Sequence, residues 1–198
     1  MGGVRFAWAD RASLALLVQS AAVSGVISCY YTLLPIFARD LWRAGPETYG
    51  LLAAMPGLGS LVGGVAVAML GDLRRKDLLA LGASVAFGAA LGLYTSIPPV
   101  AVGAALLVVA GIASATFAAC VGTLLQLRAL GPIRGRVMSL YAITHVGLSS
   151  LGGLGGVALA ERIGPPDAVR VAVLLAVVVV AALSIIVARR MPASVPHT

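Results

Sequence analysis

Charged residues are the scarcest class in this sequence, at 11% of its 198 positions. A soluble domain carries roughly 25% charged residues, so too little polar sequence is present to cover the core of a soluble protein. Cysteine is also rare: Cys29 and Cys120 both lie in apolar runs, where they pack as small hydrophobic residues and indicate no redox compartment. No metal-ligand cluster, phosphate-binding loop or dinucleotide fingerprint occurs in the sequence, so no cofactor is predicted.

The charges that are present are segregated, and 60% of the sequence is hydrophobic. Six runs contain no Asp, Glu, Lys or Arg: 14–38, 49–70, 78–95, 100–127, 137–160 and 171–188. About 20 apolar residues cross a bilayer as a helix, so each run is long enough to span. The runs are apolar all round, unlike the alternating strands of a membrane barrel, and the first is longer than the apolar region of a signal peptide. The predicted fold class is therefore an all-α membrane protein with six transmembrane helices.

Basic residues set the predicted orientation. The short loop 71–77 contains Arg74, Arg75 and Lys76, and such loops stay on the cytoplasmic side. With this loop inside, the inner segments hold ten cationic and three acidic residues, whereas the outer loops hold four of each. The whole net charge of +7 is then cytoplasmic, which makes it a topology signal rather than a sign of nucleic-acid binding. Segments 1–13 and 189–198 are both predicted to be cytoplasmic, flanking a bundle at 14–188.

The first run carries an unusual number of polar residues. Ser20, Ser24, Ser28 and Tyr31 are spaced by four, four and three, so they share one helix face. Such a face either packs on another helix through small residues or lines a water-filled cavity. For the cavity, the candidate lining residues across the chain are Gln19, Tyr30, Tyr31, Gln126 and His145. These side chains would suit an amphipathic substrate that is either uncharged or cationic.

The six apolar runs contain no carboxylate, so His145 is the only candidate for proton coupling within the membrane. A hydrogen-bonded structural role for this histidine is the alternative. Ser149 lies four residues further on, and an intramembrane serine hydrolase would need such a pair. One pair among many serines is expected by chance, so the chain is predicted not to be an enzyme.

Two further sequence features concern the packing of the helices: a pair of glycines and a short segment that occurs twice. Gly59 and Gly63 form a small-xxx-small surface that lets another helix approach closely. The sequence 43–46 (RAGP) follows the first run, and the similar 128–132 (RALGP) follows the fourth. A repeat of three plus three helices with inverted topology would place one copy outside and the other inside, as the predicted orientation does.

Two motifs carry a family resemblance. The first motif is similar to the inner loop signature of the major facilitator superfamily and reads Gly71-Asp72-Leu73-Arg74-Arg75-Lys76. The second motif is similar to a loop and the following helix of the enterobactin-exporter-like group of that superfamily. It consists of Gln126-Leu127-Arg128 followed by Arg134-Gly135-Arg136-Val137-Met138-Ser139-Leu140-Tyr141. The chain resembles the C-terminal six-helix half of these drug and siderophore efflux proteins over essentially its whole length. The resemblance implies efflux of a small molecule by alternating access, with cytoplasmic gating loops that contain Gly71, Asp72, Arg74, Arg75, Arg134, Gly135 and Arg136.

Within those loops the resemblance implies a charged latch that holds the outward-open state, in which Asp72 faces Arg74, Arg75 or Arg136. The alternative is that these charges only set the topology of the chain in the membrane. Family members normally have twelve spans, so the chain is expected to be a fragment, or a half-size unit that needs an N-terminal half or a second six-helix unit. A non-transporting membrane scaffold or assembly subunit is a further alternative. The expected partners are the substrate and the lipid bilayer, with no nucleic acid. The expected location is a bacterial plasma (inner) membrane, as a multi-pass protein with both termini cytoplasmic, and 13 Arg against one Lys fits a GC-rich coding sequence.

Overall fold

The computed structural model describes residues 10–43, 45–69, 76–97, 99–129, 131 and 133–188. It contains six long helices: α1 (Arg11–Ile36), α2 (Pro46–Met69), α3 (Lys76–Tyr94), α4 (Val100–Arg128), α5 (Ile133–Ile163) and α6 (Pro165–Ala188). All six are long and apolar enough to cross a membrane, and the described residues form no strand. The prediction of an all-α membrane protein with six transmembrane helices is confirmed.

The helices extend beyond the uncharged runs at several ends. α3 begins at Lys76, and α5 begins at Ile133, four residues before the predicted run. Charges mark where the hydrocarbon core ends, but a helix continues for as long as it satisfies its backbone hydrogen bonds. Arg134, Gly135 and Arg136 therefore lie in the first turn of α5 and not in a loop, which corrects that part of the sequence interpretation. The predicted loop residues 71, 72, 74 and 75 lie outside the described residues.

The outer end of α1 departs from regular helix geometry. Pro35 lies inside α1 and supplies no backbone N–H, so the carbonyl of Tyr31 loses its usual donor. A π-helical turn, Phe37–Leu41, follows directly, and the backbone N–H of Trp42 donates to the carbonyl oxygen of Phe37 at 3.1 Å. This wider turn changes the direction of the chain. It places the rings of Trp42 and Phe37 in a tilted contact, with centroids 6.2 Å apart.

The helices pair in a pattern that supports the three-plus-three repeat. α1 packs mainly on α5 and α6, α4 packs mainly on α2 and α3, and α3 also packs on α6. Exchanging each helix with the one three places along the chain leaves these five pairings unchanged, but α5 also packs on α6 whereas the equivalent pair, α2 and α3, makes no comparable contact among the described residues. The core lies between α1, α3 and α4, where the largest buried side chains include those of Leu33, Leu34, Phe37, Leu91, Tyr94, Leu107 and Leu125.

Glycines bring the two equivalent helix pairs into backbone contact. A Cβ atom on Gly59 would fall on the carbonyl oxygen of Val108, and one on Gly63 would lie 2.6 Å from that of Ile112. In the α1–α5 pair, a Cβ atom on Gly152 would lie 2.5 Å from the Cα of Gly25. The small surface at Gly59 and Gly63 therefore packs on α4 within the chain itself.

Candidate functional site

The polar face of α1 lies against α5 at His145. The hydroxyl oxygen of Ser24 lies 2.9 Å from the carbonyl oxygen of His145 and 3.0 Å from its ring nitrogen Nδ1. The hydroxyl of Ser20, one turn earlier on α1, lies 3.5 Å from the same ring nitrogen. Ser20 and Ser24 are buried, whereas His145 is half-buried. We call Ser20, Ser24, Tyr141 and His145 the histidine cluster.

The hydrogen bonds of Ser24 favour one tautomer of His145. A serine hydroxyl has one proton, and the carbonyl of His145 can only accept, so at 2.9 Å Ser24 donates to it. With that proton engaged, the 3.0 Å contact to Nδ1 is satisfied by the tautomer in which Nδ1 carries a proton and donates to Ser24. In the neutral imidazole the other nitrogen, Nε2, is consequently the acceptor. This nitrogen is the atom at which His145 can take up a proton or hold a substrate donor.

Two features orient the His145 ring. The Tyr141 ring, one turn earlier on α5, stacks on it at a centroid distance of 5.8 Å and an interplanar angle of 26°. The close approach of α1 and α5 near Gly25 and Gly152 lets short serine side chains span the gap between the helices. Longer polar side chains would not be needed here, which explains why the α1 face is built from serine.

Ser149 does not form a nucleophile–base pair with His145. Its hydroxyl donates to the carbonyl oxygen of Val146 at 2.6 Å, one turn earlier on the same helix. A serine whose only proton is held by its own backbone is a poor nucleophile. The arrangement therefore gives no support to the serine hydrolase alternative.

The two predicted glutamines are engaged elsewhere. The side-chain amide of buried Gln19 donates to the carbonyl oxygen of Val180 at 3.4 Å, which ties α1 to α6. The side-chain oxygen of Gln126 accepts a hydrogen bond of 2.5 Å from Arg134, at the junction of α4 and α5. These two described hydrogen bonds join helices, and neither of them is made with His145.

Tyr30 and Tyr31 lie in a separate aromatic cluster at the outer part of α1. It comprises Tyr30, Tyr31, Phe37, Trp42 and Tyr94, with neighbouring ring centroids 5.2–6.2 Å apart. Tyr31 follows Ser24 by seven residues, which is about 10 Å along a helix. The predicted cavity residues therefore divide between the histidine cluster, the aromatic cluster and two interhelical glutamine contacts. Sequence reasoning missed Tyr94, because nothing in its own run marks it as a neighbour of α1.

An ion pair joins the predicted cytoplasmic ends of α1 and α4. Asp10 caps α1: its carboxylate accepts from the backbone N–H of Ala12 and Ser13 and, at 2.5 Å, from the Ser13 hydroxyl. It also lies 3.6 Å from Arg128. Burial raises the pKa of the Asp10 carboxyl, but the Ser13 hydroxyl, the charge of Arg128 and the two N–H groups outweigh burial, so the pKa is below its usual value. An Asp just before the first apolar run, three residues ahead of a Ser, was the available sequence signal.

The opposite face of the bundle has an arginine contact between α6 and α3. Arg170 donates to the hydroxyl and the carbonyl oxygens of buried Thr95, at 3.0 and 3.1 Å, and to Asp167 at 2.8 Å. The carbonyl of Thr95 lies just beyond the end of α3, where helix carbonyls lack partners. This arginine therefore caps α3 and holds α6 beside it.

The model of a family described as transmembrane secretion effector matches residues 1–196, almost the whole sequence. No match is found among curated proteins or among solved structures. Six membrane-spanning helices and a match of this length establish the family: the chain belongs to the transmembrane secretion effector family of major facilitator transporters.

Proposed function

We propose that this transporter carries out secondary active efflux of a small amphipathic molecule by alternating access, together with a second six-helix unit. The observation that carries the proposal is the histidine cluster: a titratable ring and two buried serines lie together between membrane-spanning helices. Polar groups within spans are costly and usually mark a substrate or ion pathway. The resemblance to the enterobactin-exporter-like group of drug and siderophore exporters supports efflux as the direction.

In this mechanism, protonation and deprotonation of His145 at Nε2 couple the proton gradient to substrate movement. Protonation turns Nε2 from an acceptor into a donor, so the same site presents opposite hydrogen-bonding character to cargo in the two states. Such a change alters the affinity for cargo between the two conformations, which a coupled transporter requires. The chemistry involves no covalent step, in keeping with a function as a transporter and not as an enzyme.

The second unit is proposed to cover α2 and α5. These are the least buried of the six spans, since only 17% and 12% of an apolar 18-residue segment of each helix is buried. Leu58, Leu61 and Val65 on α2 are more than half exposed, as are Val146 and Leu154 on α5. α2 and α5 are also equivalent under the three-plus-three exchange, so one partner with the same internal repeat could match both. Gly57 and Gly64 on α2 leave open space where a Cβ would stand, room for a close helix contact.

Cysteine cross-linking in native membranes tests the second unit. Leu58→Cys and Leu154→Cys are expected to give cross-linked products of at least twice the mass of the chain with a short bifunctional maleimide. Val178→Cys on α6 is the matched control, because Val178 is 64% exposed but lies outside the proposed interface of α2 and α5. Equal cross-linking at all three positions would indicate random collision in the membrane and contradict the proposed interface. A specific complex without any transport would instead favour the scaffold alternative.

The transport proposal is tested by efflux from bacterial cells that express the chain with its partner unit. His145→Gln keeps hydrogen-bonding capacity but cannot titrate, so we expect it to abolish the dependence of efflux on the proton gradient. Ser149→Ala is the control on the same helix, since Ser149 bonds only its own helix among the described contacts and efflux should continue. Gradient-driven efflux that is equal in the wild type and His145→Gln would refute the coupling role.

The orientation is proposed to have both termini in the cytoplasm of a bacterium, with the protein in the plasma (inner) membrane. The support is the basic segment 71–77 and the cations near the inner helix ends. A C-terminal alkaline phosphatase fusion is expected to be inactive, and a C-terminal green fluorescent protein fusion is expected to fluoresce. The reverse result would invert the orientation of every span.

A further inference from the structure

An apolar groove of about 340 Å³ runs between α5 and α6, with α1 as its floor. It is lined by glycine, alanine, valine and leucine residues and by the buried Cys29, so no lining side chain carries a charge or a hydroxyl. All of these residues except Ala168 lie in the uncharged runs, which places the groove at the depth of the hydrocarbon core. Leu175 lines the groove and is 63% exposed, so the groove is open at the surface of the bundle.

The groove opens on a different side of α5 from the proposed contact with a second unit. Leu154, in that contact, is 70% exposed, and Leu159, in the groove, follows it by five residues. Five residues correspond to about 140° around a helix. A second unit on α2 and α5 therefore leaves the groove open to the surrounding lipid.

The dimensions of the groove match a lipid acyl chain and not a further helix. Val179 follows Ala168 by eleven residues on α6, about 16 Å along a helix, and one leaflet contributes about 15 Å of hydrocarbon core. A methylene group is similar in size to a water molecule, which occupies about 30 Å³, so the groove holds about eleven methylene groups. A helix is about 10 Å across, so about 16 Å of its length occupies on the order of 1,000 Å³. That is several times the volume of the groove.

A cation, Arg162, lies at the rim of the groove, three residues beyond Leu159 on α5. Arg162 follows the lining residue Gly155 by seven residues, about two turns, so both residues lie on the same side of the helix. Its side chain is exposed, and in the part of the chain that the structure describes it makes no ion pair or hydrogen bond. The guanidinium group is thus available to a ligand at the end of the groove.

The neighbouring carboxylates are held away from this rim. Glu161 follows Gly152 by nine residues, about two and a half turns, so it lies on the opposite side of α5 from the groove. Asp167, at the start of α6, is bound to Arg170 on the side of that helix that faces α3. The rim beside Arg162 therefore keeps a positive charge, which complements the phosphate of a lipid headgroup.

We propose that the groove is a binding site for an anionic phospholipid, with one acyl chain along the groove and the headgroup phosphate on Arg162. The lipid belongs to the leaflet at the turn between α5 and α6. Lipid tails are as apolar as leucine, so the chain gains close contact rather than removal from water, and the charge at the rim selects the headgroup. The site does not rest on the proposed efflux, since it requires only that the helices span a membrane.

The headgroup contact is tested by native mass spectrometry of the full 198-residue chain released from detergent. Dioleoyl phosphatidylglycerol carries tails and phosphate, dioleoylglycerol carries only the tails, and glycerol 3-phosphate carries only the phosphate. We expect phosphatidylglycerol to bind tightest and glycerol 3-phosphate not to be retained. Arg162→Gln should weaken phosphatidylglycerol binding about fivefold, the loss typical of one cation beside a lipid surface, and leave dioleoylglycerol binding unchanged. Arg39→Gln removes a cation at the same end of the bundle but outside the groove, and should change neither.

The groove itself is tested by Gly155→Leu. Nothing lies within 4 Å of a Cβ atom at Gly155, so the leucine side chain enters the groove without displacing protein atoms. We expect binding of both phosphatidylglycerol and dioleoylglycerol to be lost. Gly147→Leu is the matched control, because Gly147 lies on the same helix with equally open space but outside the groove, and this variant should bind both lipids. Phosphatidylglycerol should raise the melting temperature of the wild type and of Gly147→Leu but not of Gly155→Leu, because a ligand stabilises only a protein that binds it.

Equal phosphatidylglycerol affinity in the wild type and Gly155→Leu would overturn the site. Equal affinity in the wild type and Arg162→Gln, or dioleoylglycerol binding as tight as phosphatidylglycerol, would overturn the contact with phosphate. A second copy of the chain is the other occupant that the groove could have. In that case Gly155→Leu would abolish a dimer peak that added lipid does not reduce, and the lipid proposal would be wrong.

Discussion

The crossing of α2 and α4 depends on the absence of a side chain at Gly59. A Cβ there would fall on the carbonyl oxygen of Val108 and lie 3.0 Å from the Cα of Gly111. These are backbone atoms, so no rotamer change can relieve the clash and the helices must separate along their contact. Overpacking of a tight core costs about 1–3 kcal/mol. For a chain of this size, Gly59→Ala should lower the melting temperature by about 2–12 °C.

Gly57→Ala is the matched control, two residues earlier on the same helix, where nothing lies within 4 Å of the added carbon. Alanine has a better helix propensity than glycine by about 1 kcal/mol, so this variant should melt at the wild-type temperature or slightly above it. Both variants are compared by thermal unfolding in one detergent, with gel filtration to confirm a monodisperse protein. If Gly59→Ala melted no lower than Gly57→Ala, backbone contact between α2 and α4 would not be what holds the pair together.

Two further predictions concern the ends of the bundle. The lowered pKa of Asp10 contributes stability that is fully present above the ordinary value of 3.8 and is lost as the pH falls through the lower folded-state pKa. Melting curves of the wild type should therefore fall in this acid range, and Arg128→Gln should weaken that dependence; an identical pH profile in both proteins would contradict the pairing. At the other face, Arg170→Gln should lower the melting temperature by several degrees, because it removes two charge-assisted hydrogen bonds to Thr95. Asp167→Asn should change the melting temperature little, since an exposed ion pair contributes about 0–1 kcal/mol. A larger loss of melting temperature in Asp167→Asn than in Arg170→Gln would show that the ion pair, and not the cap on α3, joins α6 to α3.

Charge segregation was sufficient to predict the six spans, because a bilayer requires about 20 apolar residues and excludes charge whatever the details of packing. It could not predict the helix ends. Arg134 and Arg136 are charged and yet helical, since outside the hydrocarbon core water accepts the side chains while the helix still satisfies the backbone. A charged residue thus marks the limit of the bilayer and gives no information on the limit of the helix.

The candidate site was only partly predictable for a related reason. Periodicity placed Ser20 and Ser24 on one face of α1, but it could not tell which helix that face meets, and only the fold brings it to His145. Polarity alone selected Gln19 and Gln126, whose amides join helices in the structure. A polar residue in a span satisfies its hydrogen bonds with whatever lies nearest, and the sequence does not show whether that neighbour is a helix or a cavity.

The two equivalent helix crossings differ in a way that bears on movement. In the α2–α4 crossing, Gly59, Gly63 and Gly111 all meet backbone atoms, which leaves no adjustable layer between the helices. In the α1–α5 crossing Gly152 meets backbone atoms alone, whereas Gly153 lies nearest to side-chain oxygens of α1 and Gly156 lies nearest to the Cys29 side chain, with the Cys29 Cα beyond it. Side chains can change rotamer while backbones cannot, and the α1–α5 crossing also carries the histidine cluster. We therefore expect α5 to shift against α1 when His145 is protonated, while α2 and α4 move together. Spin labels on exposed positions of each pair would measure this: a pH-dependent distance between α1 and α5 with a constant α2–α4 distance is the expected result, and the opposite pattern would place the moving contact in the glycine crossing.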